Sequence, residues 1–388
     1  MAHHPYENVV IAGAYNTRQA RTLPGETSSS ISLEAALGVL DETGIRVDEV
    51  DGVFGAMCGE VVYGLGLNSS MTSGLDNVGI PAVVEAVHAI ASGMCTTALV
   101  VAGVAGAYSD RGSTAPWTRP ANEWVVPFGL YTAAEFALVA RRHMHVHGTT
   151  PEQLATVAAT IRNNGSINPQ AVYHGRGPYS PRDILDSRMV ADPFHLLDCA
   201  MTSEGGCALV LTTPARAKDL ELRPIRVLGA GADRLGPAYQ HPPSFDLTGS
   251  RSAGAPNGLV GQRAARIAFT TAGLAPKDVD VCEFYDPFSF EIIRQFEAFG
   301  FCSEGEGGDF VMDGRIEPDG EYPITTDGGL MSFSHAGRPQ LLQRVARGVH
   351  QLQGRCTTNQ IAGAEVALCS NGGSGALYSD VILLGTEL

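Results

Sequence analysis

The sequence predicts an α/β protein built from two similar halves, each a sheet of buried strands covered by helices. Two apolar strand patterns that end in small residues, VVIAGA (9–14) and IRVLGAGA (225–232), stand near the start and the middle of the chain. A helix and a second strand follow each of them. These units, 35–54 and 264–283, align without a gap, with position 35 on position 264. Strands rich in Val, Ile and Leu that alternate with helices favour a mostly parallel sheet covered on both faces.

The first helix of this unit has an apolar face and recognisable ends. Ser32 is the expected N-cap, and Gly44 suits the left-handed residue that follows a helix. Four apolar residues at i, i+3, i+4 and i+7 form the expected buried face: Leu33, Ala36, Leu37 and Leu40.

A further helix and strand recur in both copies. AVVEAVHAIASG (82–93) precedes TALVVAG (97–103), and LLQRVARGVHQLQG (341–354) precedes AEVALCSNGG (364–373). We therefore expect an N-terminal half over 1–222 and a C-terminal half over 223–388. Residues 111–189 break the pattern with two Trp and many Pro and Arg, which predicts an inserted loop region over the core, where a lid or binding loop would lie.

Composition excludes several classes of function. A formal net charge of -15 argues against a nucleic-acid partner and disfavours anionic membranes. The chain has no run of 18 apolar residues and no signal peptide, and its eight cysteines form no CxxC pair, so we expect a cytoplasmic protein with reduced thiols. His143 and His147 share a helix face, but no acidic or thiolate ligands stand at metal spacing. A solvated helix end before Gly148, and no metal site, is the prediction.

Several segments in family order carry a resemblance. They are HGTTPEQLATVAATIRNNGSINPQA (147–171), MVADPFHLLDCAMTSEGGCALVLTT (189–213), EFYDPFSFEIIRQFEAFGFCSEGEGGDFV (283–311), GGLMSFSHAG (328–337) and AEVALCSNGGSGALYSDVILLG (364–385). Together they resemble the thiolase superfamily, specifically the sterol-carrier-protein-type thiolases and the lipid-transfer-protein aldolases of bacterial steroid side-chain degradation. The resemblance implies a thiolase fold, with duplicated βα halves in a five-layer αβαβα arrangement, and a homodimer.

The resemblance also implies site residues. His335, in a run of glycine and small residues that lets a ligand approach, matches the loop histidine of thiolases. Cys369 matches the acid/base cysteine before the glycine turn. Tyr285 and Asp286 fall on the Asn-Glu of the Asn-Glu-Ala-Phe segment. The position of the nucleophilic cysteine falls at about Asp76, and no neighbouring residue is a cysteine. Asp76 and Asp286 are further candidate catalytic residues, with a helix N-cap as the alternative for Asp76 and a turn cap for Asp286.

Without that thiolate, an acyl-enzyme is not expected by the usual thiolase route. The resemblance implies instead retro-aldol cleavage of a β-hydroxyacyl-CoA, with a steroid-like or other bulky acyl group. Tyr285 and His335 then exchange protons with the substrate, one as base and the other, or Cys369, as acid. The candidates to bind the thioester and its oxygen are Gly329, Ser334, Gly372 and Gly373.

Two other functions stay open at this point. One is a thiolase-type acyltransferase or Claisen enzyme with another nucleophile, such as Cys95 or a residue of a partner. The other is a non-catalytic homologue that binds acyl-CoA or lipid, or stabilises a partner subunit. Coenzyme A is expected as part of the substrate, with no separate bound cofactor. The resemblance further implies a small OB-fold partner protein with a zinc ribbon. Five residues of the insert are candidates to contact adenine or phosphate, with packing and solvated charge as equal alternatives: Trp117, Arg119, Trp124, Arg141 and Arg142.

Overall fold

A computed structural model describes residues 4–73, 78–107, 132–234, 260–373 and 378–386. The strands are β1 (Val10–Asn16), β2 (Gly52–Gly55), β3 (Met71–Thr72), β4 (Thr97–Val104), β5 (Met189–Ala191), β6 (Phe194–His195), β7 (Gly205–Thr212), β8 (Ile225–Arg234), β9 (Val281–Glu283), β10 (Val366–Gly373) and β11 (Tyr378–Gly385). The helices are α1 (Ser28–Thr43), α2 (Cys58–Leu65), α3 (Ile80–Ala91), α4 (Thr132–His147), α5 (Pro151–Ile167), α6 (Pro181–Asp186), α7 (Pro214–Ala217), α8 (Gln262–Ala272), α9 (Ser289–Phe299), α10 (Gly307–Phe310) and α11 (Gln340–Leu352).

The sheet repeats one pattern of strands twice. Nine described strands pair in the order β3-β2-β4-β7-β1-β8-β11-β10-β9. In the first half β2 pairs parallel with β4, and β4 and β1 pair antiparallel with β7. In the second half β9 pairs parallel with β10, and β10 and β8 pair antiparallel with β11. Among the described strands, the two halves of the sheet are joined by β1 and β8, at Val10 opposite Arg226 and Ile11 opposite Ile225.

The expected mostly parallel sheet is wrong. Five of the eight pairings between the described strands of this sheet are antiparallel. Regular alternation of strands and helices predicts parallel strands only where each connection is a crossover. The four residues 374–377 that join β10 to β11 are too few for a crossover, so these strands must run antiparallel.

The helices form three layers around the two half-sheets. Helix α1 packs on β1, β4 and β7, and α8 packs on β8 and β11. Helices α3 and α11 contact each other and strands of both halves, so they lie between the half-sheets. The order of layers is therefore αβαβα, and the predicted fold class is confirmed.

The structure corrects the predicted start of α1 and confirms its end. The N-cap is Thr27, whose side chain accepts from the Ser30 N–H in a capping box, whereas Ser32 lies buried inside the helix. Gly44 ends the helix in the left-handed region, at φ +69°. Ala36 and Leu40 of the predicted face are buried, but Leu37 is 48% exposed. The buried face of the helix runs through Ala35 and Val39 instead.

The described part of the insert is helical and packs on the C-terminal half. Helix α5 contacts α9 and a π-helical turn at Gly329–Phe333. Helix α4 ends before Gly148, as predicted, but His143 is not solvated. Its ring is buried, with Nε2 2.9 Å from the Glu297 carboxylate and Nδ1 2.8 Å from the Thr149 hydroxyl. His143 thus connects α4 with α9.

No helix in the described ranges combines the length and the apolar composition that crossing a bilayer requires. The boundary between halves at 222/223 and the extent of the insert stay predictions. Asp76, Trp117, Arg119 and Trp124 lie outside the described residues.

Candidate active site

A cavity of about 680 Å³ lies between the insert, the first half and the loops of the second half. Tyr285 and His335, 50 positions apart in the sequence, both line it. The structure therefore brings together the two residues that the resemblance pairs. Most other lining side chains are apolar, and the larger of these are Met57, Val104, Phe136, Val190, Leu196, Pro287, Phe288 and Leu341.

His335 is fixed in one tautomer by its surroundings. Its backbone N–H donates to the Ser203 hydroxyl at 2.8 Å, and its ring Nδ1 lies 2.5 Å from the Met201 carbonyl oxygen. A carbonyl oxygen only accepts, so Nδ1 carries the hydrogen and Nε2 carries the lone pair. Burial lowers the pKa of His335 to about 4. The ring is therefore neutral near pH 7, with Nε2 able to accept a proton.

The backbone of Tyr285 is held by its neighbours in the second half. Its N–H donates to the Ser370 hydroxyl of β10 at 3.0 Å, and its carbonyl accepts from the Gln295 amide of α9 at 2.6 Å. The ring packs beside Gly372, where a Cβ would lie 3.2 Å from the Tyr285 Cδ1. Tyr285 is 7% exposed, so only a small part of it faces the cavity.

Asp286 points away from the cavity and supports the loop that carries His335. Its carboxylate accepts from the N–H groups of Leu330 at 2.8 Å and Met331 at 3.2 Å, both in the π-helical turn. Burial raises the pKa of Asp286 to about 7. A Cβ at Gly329 would collide with this carboxylate, and φ there is +55°. Asp286 and Gly329 thus support the shape of the loop, and neither is among the residues that line the cavity.

The three further predicted thioester contacts also have partners inside the protein. The Ser334 hydroxyl is buried, donates to Gln19 Oε1 at 2.8 Å and lies 3.0 Å from the Ser203 hydroxyl. Gly372 packs against the Tyr285 ring, and Gly373 pairs with Tyr378 at the end of β10. Gly372 is thus beside the cavity wall, whereas Ser334 is part of the support behind His335.

A buried ion cluster lies behind this loop. Arg344 of α11 donates to Asp327 at 2.7 Å and 2.8 Å and to Glu283 at 3.1 Å. Arg347 donates to the Thr326 hydroxyl, which in turn donates to Glu283. Although burial opposes it, Arg344 lowers the pKa of Asp327. No sequence pattern predicts this cluster, because its members are spread over three separate segments of the chain.

Cys369 does not line the cavity, against the prediction. Its side chain is not exposed and packs against Gly348 of α11 between the half-sheets. Burial raises the pKa of this thiol well above its ordinary value. The structure therefore separates Cys369 from Tyr285 and His335, and a role in proton transfer loses its geometric basis.

A different cysteine lines the cavity, and sequence reasoning missed it. Cys199 borders the cavity, and its Sγ lies 3.2 Å from the His195 carbonyl oxygen. Burial raises the pKa of Cys199 to about 12, so it is a thiol near pH 7. Cys95, the candidate for another nucleophile, is 2% exposed and is not among the lining residues, and burial raises its pKa to about 12.

Two arginines at the cavity rim were also missed. Arg188 and Arg338 line the cavity with exposed side chains, and neither forms an ion pair within the described ranges. Arg141, a predicted phosphate contact, lies 3.6 Å from the Asp192 carboxylate. The rim arginines that form no ion pair with a described residue are therefore ones that the sequence did not single out.

Comparison with known proteins assigns the family. The profile described as "Thiolase C-terminal domain-like" matches residues 258–386. A steroid side-chain-cleaving aldolase of Thermomonospora curvata is 34% identical over 275 residues, which cover 70% of this chain and 67% of that protein. An acetyl-CoA acetyltransferase of Methanothermobacter thermautotrophicus is 32% identical over 363 residues, or 88% and 90% of the two chains.

The chain belongs to the thiolase superfamily. The predicted resemblance is thus confirmed. A 17-hydroxy-3-oxo-4-pregnene-20-carboxyl-CoA lyase of Mycobacterium tuberculosis is 35% identical over 268 residues, or 68% of this chain. The alignment spans 65% of that relative, just under two thirds of its length.

Solved structures agree with this thiolase fold over the whole chain. An Ltp2-ChsH2(DUF35) aldolase superposes with a TM-score of 0.83 and 28% identity over 100% of both chains. Human mitochondrial 3-ketoacyl-CoA thiolase superposes with a TM-score of 0.70 over 99% of this chain, at 15% identity, which shows the fold alone.

Proposed function

We propose that this member of the thiolase superfamily is a carbon–carbon lyase that cleaves a β-hydroxyacyl-CoA by a retro-aldol reaction. The observation that carries the proposal is that His335 and Tyr285 line one cavity, and that His335 is neutral with Nε2 able to accept a proton. The relatives named as a lyase and as a side-chain-cleaving aldolase support the same reaction class. Acid/base groups and hydrogen-bond donors suffice for it, so no acyl-cysteine is needed.

The proposed reaction begins at the β-hydroxyl group. His335 Nε2 takes the hydroxyl proton, the Cα–Cβ bond breaks, and its electron pair forms the enolate of the thioester. The new C=O bond makes the ketone, which leaves. The Tyr285 hydroxyl then protonates Cα, which yields the shorter acyl-CoA. Transfer of the proton from His335 back to Tyr285, through solvent, restores both residues, so the proton from the hydroxyl is balanced by the one added at Cα.

The cavity fits an acyl-CoA with a bulky apolar acyl group. Its volume of about 680 Å³ and its apolar lining favour a large hydrophobic group such as a steroid side chain and ring. Arg188 and Arg338 at the rim then bind the phosphates of coenzyme A, because guanidinium groups are preferred partners of phosphate. Coenzyme A enters only as part of the substrate, and no separate cofactor takes part.

The proposal includes a partner protein and a second copy of this chain. The structural neighbour is an aldolase of Ltp2 with ChsH2(DUF35), which supports a partner for this chain too. We propose that the partner is a small OB-fold protein with a zinc ribbon. We also propose that the chain forms a homodimer and acts in the cytoplasm. Full turnover by the purified chain without any partner would contradict the requirement for one.

Turnover in D₂O tests the reaction class. The purified protein, alone and co-expressed with a candidate partner, is incubated with β-hydroxyacyl-CoAs of graded bulk, and products are analysed by mass spectrometry. The expected result is a ketone and a shorter acyl-CoA in equal amounts, with one deuterium at Cα. Tyr285→Phe is expected to lower the rate about 10²–10⁴-fold, as for loss of one acid/base group. Binding without any turnover would favour the non-catalytic alternative.

One observation favours an acyltransferase as the second candidate. The acetyl-CoA acetyltransferase relative aligns over 90% of its length, and Cys199 supplies a thiol at the cavity. If this candidate is right, incubation with acyl-CoA leaves an acyl group on Cys199, and Cys199→Ser removes it. The lyase proposal expects no adduct and at most a threefold change in rate for Cys199→Ser, since that thiol is held protonated.

A further inference from the structure

A buried arginine of the insert donates its hydrogen bonds to three backbone carbonyls. Arg162 lies in α5 and is 2% exposed. Its Nε donates to the Leu197 carbonyl at 2.6 Å, its Nη2 to the Cys199 carbonyl at 2.9 Å, and its Nη1 to the Met331 carbonyl at 3.1 Å. A buried charge without a hydrogen-bonded carboxylate is costly, and here charge-assisted bonds to the backbone offset that cost. Two of the carbonyls belong to residues 197–203, which we call the connecting segment.

The connecting segment is attached to the backbone that carries Tyr285. The Ala200 N–H donates to the Pro287 carbonyl at 2.9 Å. The Ser289 hydroxyl, 0% exposed, donates to the Asp198 carboxylate at 2.7 Å. Pro287 and Ser289 follow Tyr285 by two and four positions. A shift of the connecting segment would therefore move the main chain beside Tyr285.

The same segment holds His335. The Met201 carbonyl accepts from His335 Nδ1, and the Ser203 hydroxyl accepts from the His335 backbone N–H. Met331, the third partner of Arg162, lies in the π-helical turn that leads to His335. Arg162 thus binds the connecting segment and also the turn before His335.

Consecutive residues of the connecting segment reach the two proposed catalytic residues. Ala200 bonds to the strand end of Tyr285, and Met201 bonds to the ring of His335. One peptide unit therefore links the two contacts, so the position of this segment sets the distance between Tyr285 and His335. A misplacement of about 1 Å between reacting groups lowers a rate on the order of 10²-fold.

We propose that Arg162 is a positioning residue, which sets the distance between Tyr285 and His335 by fixing the connecting segment. The inference rests on the proposed lyase function and adds to it a residue that is not among those lining the cavity. The planar guanidinium reaches three carbonyls in different directions, which the single nitrogen of a lysine cannot do. Without it, the Met201 carbonyl moves away from Nδ1, and nothing then holds the lone pair of His335 at Nε2.

The test compares two buried arginines. Arg162→Met keeps the apolar stem and removes every donor, and Arg162→Lys keeps the charge. The matched control is Arg294→Met. Arg294 is 1% exposed, but it donates to the Glu291 carboxylate and the Val260 carbonyl, and none of these three residues lines the cavity.

The two positions are expected to differ in rate and not in stability. Both Met variants should lower Tm, because each removes a buried hydrogen-bonded cation. Arg162→Met should also lower kcat about 10²-fold with less than about threefold change in KM, since misplaced groups slow the chemical step. Arg162→Lys should recover about tenfold of this loss, because its ammonium still reaches part of the carbonyl set. A kcat for Arg162→Met within about threefold of the parent, or an equal fall for Arg294→Met, overturns the proposal.

A measurement on the His335 ring separates this inference from the lyase function. In ¹⁵N-labelled protein, NMR distinguishes the Nδ1–H from the Nε2–H tautomer, and the His335 signal is identified by its loss in His335→Asn. The parent is expected to show the Nδ1–H form, neutral down to about pH 4. In Arg162→Met the Nε2–H form should appear and the titration midpoint should rise toward about 6.5. Arg294→Met should match the parent.

The conservative variant keeps the test decisive if Arg162→Met fails to fold. Arg162→Lys should show a smaller change of tautomer in the same direction, because the Met201 carbonyl is only partly released. An unchanged His335 tautomer in the folded Arg162 variants contradicts the inference even if cleavage is observed. A changed tautomer at Arg162 with an unchanged one at Arg294 supports it even if cleavage is not.

Discussion

Two polar regions in the second half of the molecule are built in opposite ways. In the buried ion cluster every carboxylate accepts at least two hydrogen bonds, as Asp327 does from Arg344 and Gly329. At the cavity wall His335 donates from Nδ1 to the Met201 carbonyl and keeps Nε2 as a free acceptor within the described part of the chain. Groups that are satisfied inside the protein fix its shape, whereas groups left unsatisfied are available to a ligand. Substitutions in the first region should therefore change stability, and in the second region activity.

The largest effect is expected in the buried ion cluster. Arg344→Met leaves Glu283 and Asp327 without their cation in a region with no exposure, which should destabilise the fold by about 3–5 kcal/mol. Urea unfolding measures this loss. Arg182→Met is the control, because its pair with Asp186 is exposed and contributes about 0–1 kcal/mol. An equal decrease in the free energy of unfolding for the two variants would contradict the difference between the buried cluster and the surface pair.

At the cavity wall the expected effect is on rate. His335→Asn keeps a donor near the position of Nδ1 for the Met201 carbonyl but removes Nε2, so kcat should fall about 10²–10⁴-fold with little change in stability. His350→Gln is the matched control, since His350 is bonded through Nε2 to the Ala14 carbonyl and is not among the residues lining the cavity. Steady-state kinetics and urea unfolding are measured for both. Similar kcat in the two variants would contradict the assignment of His335 as base.

The pH dependence sharpens the difference between the regions. Because burial lowers the pKa of His335 to about 4, the base stays neutral well into acid, and kcat should hold within about twofold from pH 8 to about 5.5. A half-loss of kcat near pH 6.5, the ordinary histidine value, would contradict this.

The free energy of unfolding should depend on pH in the range where kcat does not. The unfolded chain protonates its histidines near pH 6.5, whereas folded His335 and His350 stay neutral down to about 4. Between these values the two histidines bind more protons in the unfolded state, so their contribution to the free energy of unfolding falls as the pH falls through that window. Asp286, with its pKa raised to about 7, contributes in the opposite direction. Urea unfolding at pH 7 and 5, in the parent and in His350→Gln, separates the two, because acidification should be less destabilising in His350→Gln than in the parent.

The smallest effect is expected at the cavity rim. Arg188→Gln and Arg338→Gln should each raise KM for acyl-CoA about 3–10-fold with kcat unchanged, since exposed guanidinium–phosphate contacts bind without taking part in chemistry. KM for the pantetheine thioester, which carries no phosphate group, should not change. Arg182→Gln, exposed and away from the cavity lining, is the control. An equal rise in KM for both thioesters would contradict phosphate binding at the rim.

Local pattern predicted the elements well but not every face of them. Gly44 ends α1 as expected because a left-handed residue after a helix is a local requirement. The cap at Ser32 was wrong because the helix begins a turn earlier, where Thr27 and Ser30 satisfy each other. Strand direction was wrong because it depends on which strands become neighbours, and that is decided by contacts far apart in the sequence.

At the glycine turn, residue type alone predicts a cysteine that does not line the cavity. The match in CSNGGSG selects Cys369, because a cysteine stands there in thiolases. Strand geometry places Cys369 and Asn371 on the same face of β10, about 6–7 Å apart at the usual rise per residue. Cys369 packs against Gly348 of α11, whereas Asn371 lies beside Gly79 at the start of α3. The identity of the residue beside the helix therefore follows from the register of the strand against the helix.

By itself the sequence determined the duplicated halves, the family and the pair of residues at positions 285 and 335, because periodicity and ordered motifs are properties of the linear chain. Only the tertiary structure decided that Asp286 and Ser334 serve the loop, that Cys369 is packed away, and that Cys199, Arg188 and Arg338 reach the cavity. Which side chains face a common space depends on the positions of α3, α11 and the insert around the strand ends. Those positions are set by the packing of whole layers, which no short segment of sequence encodes.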